Sequence, residues 1–180
     1  NSSLTPALRS PLHYGHYKFG KRDDTPALNF GRFVHESRLE PAAALGRYVV
    51  QPDLTKGCLS ADGKIAKNPK ATAEYKQRLK EWSANYQDKE IVTQEQYERM
   101  TGVLDALWQE RKTRDWFSGE GPAEVSIVWD DLDTGLVCKA RIDKVMACWK
   151  ELVDLKTTRD ASEFEKSMIR YHYPRQAAFY

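Results

Sequence analysis

Residues 136–157 read LVCKARIDKVMACWKELVDLKT. Apolar and polar side chains alternate in the first part of this stretch, which predicts a β-strand that carries Asp143 on its polar face. The last part, from about 151 to 157, predicts another strand, on which alternation places Asp154 and Lys156 on one face. The stretch therefore predicts a β-hairpin in which each strand carries an aspartate.

A turn centred between Cys148 and Trp149 sets the register of this hairpin. Asp143 then lies directly opposite Asp154, and opposed residues of an antiparallel pair have Cβ atoms about 4.5–5.5 Å apart. Two carboxylates this close repel each other unless one takes up a proton or a cation lies between them. Mg²⁺ prefers such oxygen ligands. Lys156, beside the pair, can then orient or deprotonate a water, as in a metal-assisted hydrolytic site. A surface salt bridge is the default interpretation of a D-x-K triplet on a strand when nothing else accompanies it.

The rest of the chain predicts a helical half followed by a strand-rich half, which indicates an α/β protein of the α+β kind. The predicted helices cover about 4–19 (divided at Pro11), 27–39, 72–86, 93–116 and 160–180 (interrupted at Pro174). The predicted strands cover 47–51, 91–92, 124–129, 136–143 and 151–157, and residues 53–69 form a long polar loop.

Composition limits the possible functions. The 180 residues carry 28 basic and 26 acidic side chains, a net charge of +2, so nucleic-acid binding must come from local charge clusters. No run of 18 apolar residues is present, and residues 1–5 lack the pattern of a secretory signal. Three scattered cysteines without a C-x-x-C pair favour reduced thiols. We therefore expect a cytoplasmic protein that makes no membrane contact.

One local cluster of basic residues lies near the N-terminus, where it is interleaved with aromatic residues. Such a cluster is typical of phosphate contact and base stacking on a nucleic-acid strand, although a solvated helix face is the alternative. From it we assign Tyr14 and Lys18 to DNA binding. The cluster comprises Arg9, His13, Tyr14, His16, Tyr17, Lys18, Lys21 and Arg22.

The order of the polar motifs resembles the PD-(D/E)xK nuclease superfamily, specifically its RecB-like branch. That branch has a helical histidine, an aspartate, a D-x-K triplet and a Q-x-x-x-Y helix. The matching positions here are His35, Asp143, Asp154 to Lys156, and Gln176 to Tyr180. The segments 3–5, 12–14, 30–35, 39–41 and 138–143 are similar to the RecE-type exonucleases (the exodeoxyribonuclease VIII family), so the resemblance covers nearly the whole chain.

This resemblance implies a restriction-endonuclease-like core, that is, a central mixed β-sheet with an antiparallel hairpin flanked by helices. It implies that Mg²⁺, with Mn²⁺ as a substitute, is held by His35, Asp143, Asp154 and the backbone carbonyl of Leu155. Lys156 then acts as the catalytic lysine together with the two aspartates. Gln176 and Tyr180 line the site and contact DNA, and we assign Arg141, on the polar face of its strand, to the same role.

The implied activity is hydrolysis of phosphodiester bonds in double-stranded DNA from the 5′ end. The product, a 3′ single-stranded tail, would pass to a RecT-like single-strand annealing protein in homologous recombination. The resemblance also implies a toroidal homotetramer, encoded by a bacterium or a prophage. We expect a single nuclease domain over residues 1–180 that continues past Tyr180 in the complete family domain.

Two departures and two alternatives accompany this interpretation. Ile142 stands where the superfamily motif has proline, and the chain ends inside the Q-x-x-x-Y helix. Another RecB-like nuclease, of DNA repair or CRISPR adaptation type, is possible, but the CRISPR members commonly hold an iron–sulfur cluster on four cysteines. A DNA-binding or assembly module that does not cut is the other alternative.

We expect Glu124 to be a strand-edge carboxylate, with a water-mediated metal contact as the less favoured role.

Overall fold

The computed structural model describes residues 4–20, 24–60, 62–147 and 150–180. Lys21 and Arg22 of the N-terminal cluster, and the proposed turn centre at Cys148 and Trp149, lie outside these ranges. The chain divides into two compact units, residues 1–32 with 115–180 and residues 33–114. Helices and two small sheets give the α+β class that the sequence predicts.

The helices are α1 (Leu4–Arg9), α2 (Pro11–Phe19), α3 (Pro26–Leu39), α4 (Pro41–Arg47), α5 (Ala73–Ala84), α6 (Gln94–Gln109), α7 (Arg111–Ser118), α8 (Phe164–Arg170) and α9 (Tyr173–Phe179). The strands are β1 (Tyr48–Val50), β2 (Glu90–Val92), β3 (Ala123–Asp130), β4 (Val137–Val145) and β5 (Leu152–Val153). None of the helices in the described ranges is long and apolar enough to cross a membrane.

The first unit contains an antiparallel sheet in the order β3-β4-β5. In β4 and β5, Lys144 pairs with Val153 and Val145 with Leu152. This is the register that the sequence predicts, and its next pair would be Asp143 with Asp154, the residue that follows the end of β5. Ile142, Val145 and Val153 are buried and form part of the core beneath these strands.

Strand β5 is shorter than expected, so the predicted strand over 151–157 is wrong beyond Val153. The backbone N–H of Leu155 donates to Oδ2 of Asp143 at 2.6 Å. A side-chain carboxylate therefore takes the place of the backbone carbonyl that would continue the ladder. Strand β5 therefore ends at Val153, directly before Asp154 of the candidate site.

Three helix boundaries also differ from the prediction, each for a local reason. The helix expected over 93–116 is two helices because Glu110 has a non-helical ψ of 121°, and its carboxylate accepts the N–H of Thr113 at the start of α7. The additional helix α4 begins at Pro41, since proline suits the first turn of a helix as well as the end of the previous one. His172, with a left-handed φ of 56°, separates α8 from α9.

The second unit has its own small core around the parallel pair β1-β2. The rings of Phe33 and Tyr48 have centroids 4.7 Å apart, and Val92 and Met100 are buried. Burial, followed by the charges of Glu36 and Glu90, raises the pKa of Tyr48 to about 12. This phenol is therefore un-ionised at neutral pH.

The loop before β3 is fixed against the end of β4. Lys144 donates from Nζ to the carbonyls of Gly119 at 2.9 Å and Gly121 at 2.7 Å. Gly121 has a φ of 136°, and a Cβ there would lie 2.0 Å from the carbonyl oxygen of Val145. This close approach requires glycine next to the strand that carries Asp143.

We expect Gly121→Ala to lower the free energy of unfolding by about 2 kcal/mol or more, because the methyl group must displace backbone atoms. Urea denaturation followed by circular dichroism measures this loss. Gly102→Ala is the matched control, since Gly102 lies inside α6 and a Cβ there would meet no atom of another element within 4 Å. That variant should gain about 1 kcal/mol from helix propensity. Equal stability of the two variants would contradict the close approach at Gly121.

Candidate active site

Asp154, Lys156, Gln176 and Tyr180 form one hydrogen-bonded network. Gln176 donates from Nε2 to Oδ1 of Asp154 at 2.9 Å and to the hydroxyl oxygen of Tyr180 at 2.8 Å. Lys156 forms an ion pair with Oδ2 of Asp154, and the two side chains are 24% and 29% exposed. Helix α9 and the residues after β5 therefore meet at one carboxylate.

Helix geometry explains why α9 can make both contacts. Gln176 and Tyr180 are four residues apart and thus lie on one face of the helix. Gln176 is 8% exposed, so its amide is removed from water and held by its two partners. Such a buried amide fixes the orientation of both neighbouring side chains.

Lys156 has a second neighbour that the sequence analysis did not identify. Its Nζ lies 5.5 Å from the centroid of the Tyr173 ring, the distance of a cation–π contact. Tyr173 is three residues before Gln176, so helical spacing is the signal that could have placed it on the same face. The lysine ammonium is thus held between a carboxylate and an aromatic ring.

Three acidic residues lie in one row across the sheet. In β3 and β4, Glu124 and Asp143 lie between the pairs Ala123–Lys144 and Val125–Ile142. Asp154 follows the last residue of β5, at the position that the β4–β5 register would pair with Asp143. Glu124 has a left-handed φ of 55°. Strained backbone of this kind costs about 1–3 kcal/mol and is concentrated at functional sites. The row predicts a locally negative sheet surface.

Arg141 offsets part of that negative charge. Its Nε forms an ion pair with Oε2 of Glu124. Asp143 is 8% exposed, and its Oδ2 accepts the N–H of Leu155. The guanidinium of Arg141, which the sequence predicts to contact DNA, is therefore already ion-paired with Glu124.

Among the described residues of the first unit, Glu124 and Asp143 form a pair that could hold a metal ion. Each offers one carboxylate oxygen, and these two atoms lie within 4.8 Å of each other. His35, the histidine predicted as a ligand, belongs to the other unit. Glu124, expected to be a strand-edge carboxylate, thus belongs with the possible ligands.

Helix α3 carries His35, the predicted histidine ligand. A Cβ on Gly31 would lie 2.9 Å from Oγ1 of Thr157, the residue after Lys156. His35 follows Gly31 by four residues and so lies on the same face of α3. The side chain of His35 is half-buried.

The two N-terminal candidates lie together on α2. Nζ of Lys18 lies 5.7 Å from the ring centroid of Tyr14 and 5.5 Å from that of Phe19. Lys18 is exposed and Tyr14 is half-buried. Within the described ranges, neither side chain is hydrogen-bonded or ion-paired to the Asp154 network, so their assignment to DNA stays a prediction.

Comparison with known families bears on this arrangement. Residues 2–180 match the family described as a PDDEXK-like domain of unknown function, DUF3799. The chain belongs to this family. The PDDEXK-like assignment supports the superfamily to which the sequence motifs are similar and suggests a nuclease-type function. A search of curated proteins returns no match.

The phenol of Tyr180, beside Asp154 and Gln176, is protonated at neutral pH. Burial raises the pKa of Tyr180, and the negative charges of Asp154 and Asp143 raise it further, whereas the hydrogen bond from Gln176 lowers it. Because the net shift is upward, the phenol keeps its proton at neutral pH. It can then donate a hydrogen bond to a substrate oxygen while its own oxygen accepts from Gln176.

We expect Asp154→Asn to lower the pKa of Tyr180 towards its ordinary value of about 10, since the substitution removes one negative charge. Tyrosine labelled with ¹³C at Cζ, titrated by NMR in metal-free buffer, measures the change, and Tyr180→Phe assigns the signal. Asp133→Asn is the control, because Asp133 is exposed in the β3–β4 turn. A Tyr180 pKa that does not respond to Asp154→Asn would contradict the network.

Proposed function

We propose that this chain is a divalent-metal-dependent deoxyribonuclease that hydrolyses phosphodiester bonds of double-stranded DNA. The observation that supports it best is the Asp154–Lys156 pair, fixed by Gln176 and lying one register step from Asp143. Membership of a PDDEXK-like family agrees with hydrolysis of nucleic acid. The proposal assigns catalysis to Asp143, Asp154 and Lys156.

The donor atoms fit a hard divalent cation. His35, Glu124 and Asp143 offer one imidazole and two carboxylates, and carboxylate oxygens suit Mg²⁺ and Mn²⁺. Two carboxylates this close also favour a bound cation, since their mutual repulsion is relieved by it. We propose Mg²⁺, with Mn²⁺ as a substitute, held by these residues together with Asp154 and the carbonyl of Leu155. A bound divalent ion supplies Lewis-acid stabilisation of phosphate charge.

The side chains of the network have distinct roles in this proposal. Lys156 orients the attacking water and offsets negative charge that develops on the phosphate oxygens. Asp154 positions the lysine through their ion pair. Gln176 keeps Asp154 in place and presents the Tyr180 hydroxyl towards the DNA strand. Arg141, Tyr14 and Lys18 supply phosphate contacts and base stacking further along the duplex.

We further propose the RecE-type form of this activity, which is digestion from a 5′ end that leaves a 3′ single strand. Its support is the similarity of the ordered motifs in residues 3–157 to that group. The partners then proposed are DNA ends, a RecT-like annealing protein and further copies of this chain in a toroidal tetramer. A cytoplasmic location and one nuclease domain over residues 1–180 belong to the same proposal.

Asp154→Ala should reduce Mg²⁺-dependent digestion of linear duplex DNA by about 10²-fold or more, the scale of losing one electrostatic group at a reaction centre. Single-turnover release of labelled nucleotides measures the rate. Asp133→Ala, on the exposed β3–β4 turn, is the control and should digest as the unsubstituted chain does. Undiminished digestion by Asp154→Ala, with its fold intact by circular dichroism, would remove the assignment of the site.

A linear duplex should be degraded and a covalently closed circle of the same sequence should persist, because an exonuclease requires an end. Labels on the 5′ and 3′ termini of separate substrates give the direction, and the 5′ label should be released first. Cleavage of the circle would instead favour another RecB-like nuclease. Retention of DNA without any product, together with a steep salt dependence, would favour the non-cutting module.

A further inference from the structure

A pocket of about 300 Å³ lies beside the Asp154–Lys156 pair. Its polar wall is formed by these two residues and Gln176, and its remaining walls are apolar or aromatic. Binding sites for organic ligands typically combine such walls with a few converging polar groups. The lining residues are Leu152, Asp154, Lys156, Phe164, Met168, Tyr173, Gln176, Ala177 and Tyr180.

Aromatic rings of α8 and α9 give the pocket flat faces. The rings of Phe164 and Tyr173 have centroids 6.1 Å apart at an interplanar angle of 38°. Tyr171 stacks on Tyr173 from outside the pocket, with centroids 6.0 Å apart at 25°. Tyr173 therefore has ring neighbours within the protein, and Phe164, at 39% exposed, keeps part of its face open.

The charges around the pocket restrict what can enter. Asp154 and Lys156 both line the pocket and are paired with each other. Their charges therefore offset each other and the pocket itself does not favour an anion, whereas the ammonium favours a phosphate that lies beside the pocket. A flat uncharged group next to a phosphate satisfies both conditions. Nucleobases have these properties, and they stack on aromatic side chains in single-stranded nucleic-acid sites.

We propose that this pocket receives one unpaired nucleobase of the DNA strand whose phosphodiester lies at Asp154 and Lys156. The proposal rests on the nuclease function proposed above. A base cannot enter a pocket while it is paired and stacked in a duplex, so the site takes a nucleotide that has left the helix. Melting of the DNA end then precedes hydrolysis, and frayed or single-stranded ends are cut faster than blunt ones.

The cleavage test removes the nucleobase from the substrate and, separately, the aromatic ring of Phe164 from the protein. Duplexes carry a tetrahydrofuran abasic nucleotide at each of the first four positions of the digested strand in turn. At one position the abasic nucleotide should slow single-turnover cleavage about tenfold, the scale of one base–aromatic contact. Phe164→Leu should slow cleavage of intact DNA by a similar factor and should have no further effect on that abasic substrate.

This lack of a further effect shows that Phe164 contacts the base. If Phe164 had only a structural role, Phe164→Leu would slow cleavage of intact and abasic DNA equally. Tyr97→Leu is the matched control, since Tyr97 is an exposed aromatic residue of α6 in the other unit. It should cleave every substrate as the unsubstituted chain does. Equal slowing of intact and abasic DNA by Phe164→Leu would overturn the proposal.

A binding arm separates failure of the pocket from failure of the nuclease. Fluorescence anisotropy with labelled five-nucleotide single strands in EDTA measures affinity without cleavage. The intact strand should bind about tenfold more tightly than the strand with the abasic nucleotide, and Phe164→Leu should abolish the difference. Base-dependent binding without any cleavage would support the pocket and reject the nuclease. If neither the abasic nucleotide nor Phe164→Leu changes the cleavage rate or the affinity, the pocket proposal is rejected and the nuclease proposal stands.

Discussion

The hydrogen bond from the Leu155 N–H to Asp143 determines how the candidate site is built. It is a charge-assisted bond of 2.6 Å at a buried carboxylate, and it replaces the backbone ladder at the point where β5 ends. Because the chain leaves the sheet there, Asp154 and Lys156 can turn towards α9, where they contact Gln176 and Tyr173. A continuous strand would keep both side chains in the pleat of the sheet. One side chain thus ends the strand and holds the D-x-K segment beside it.

Helix α9 contributes the other half of the arrangement. The left-handed residue His172 stops α8, and Pro174 suits the first turn of the helix that follows. This break directs Gln176 at Asp154 and Tyr173 at Lys156. The pair of charges is therefore fixed from two sides, by a buried amide and by an aromatic face. Preorganisation of this kind favours catalysis because the groups need little rearrangement when the charge of the reaction develops.

The charges of the site bear on the proposed DNA substrate. Glu124, Asp143 and Asp154 concentrate negative charge in one row of a chain whose net charge is only +2. Such a surface repels DNA phosphates unless cations neutralise it, and Arg141 and Lys156 supply only part of that neutralisation. The proposed requirement for a divalent metal agrees with this imbalance. In the proposal above, the aromatic pocket beside these residues holds the uncharged part of a nucleotide.

The sequence by itself determined the hairpin, its register and the shared face of Gln176 and Tyr180, because alternation and helical spacing are local properties of the chain. It also predicted the division of the N-terminal helix at Pro11. Only the tertiary structure decided that β5 ends at Val153, that Glu124 joins the possible metal ligands and that Tyr173 contacts Lys156. These features depend on contacts between residues 12 or more positions apart, and no local pattern records which distant side chain will satisfy a given backbone or charged group.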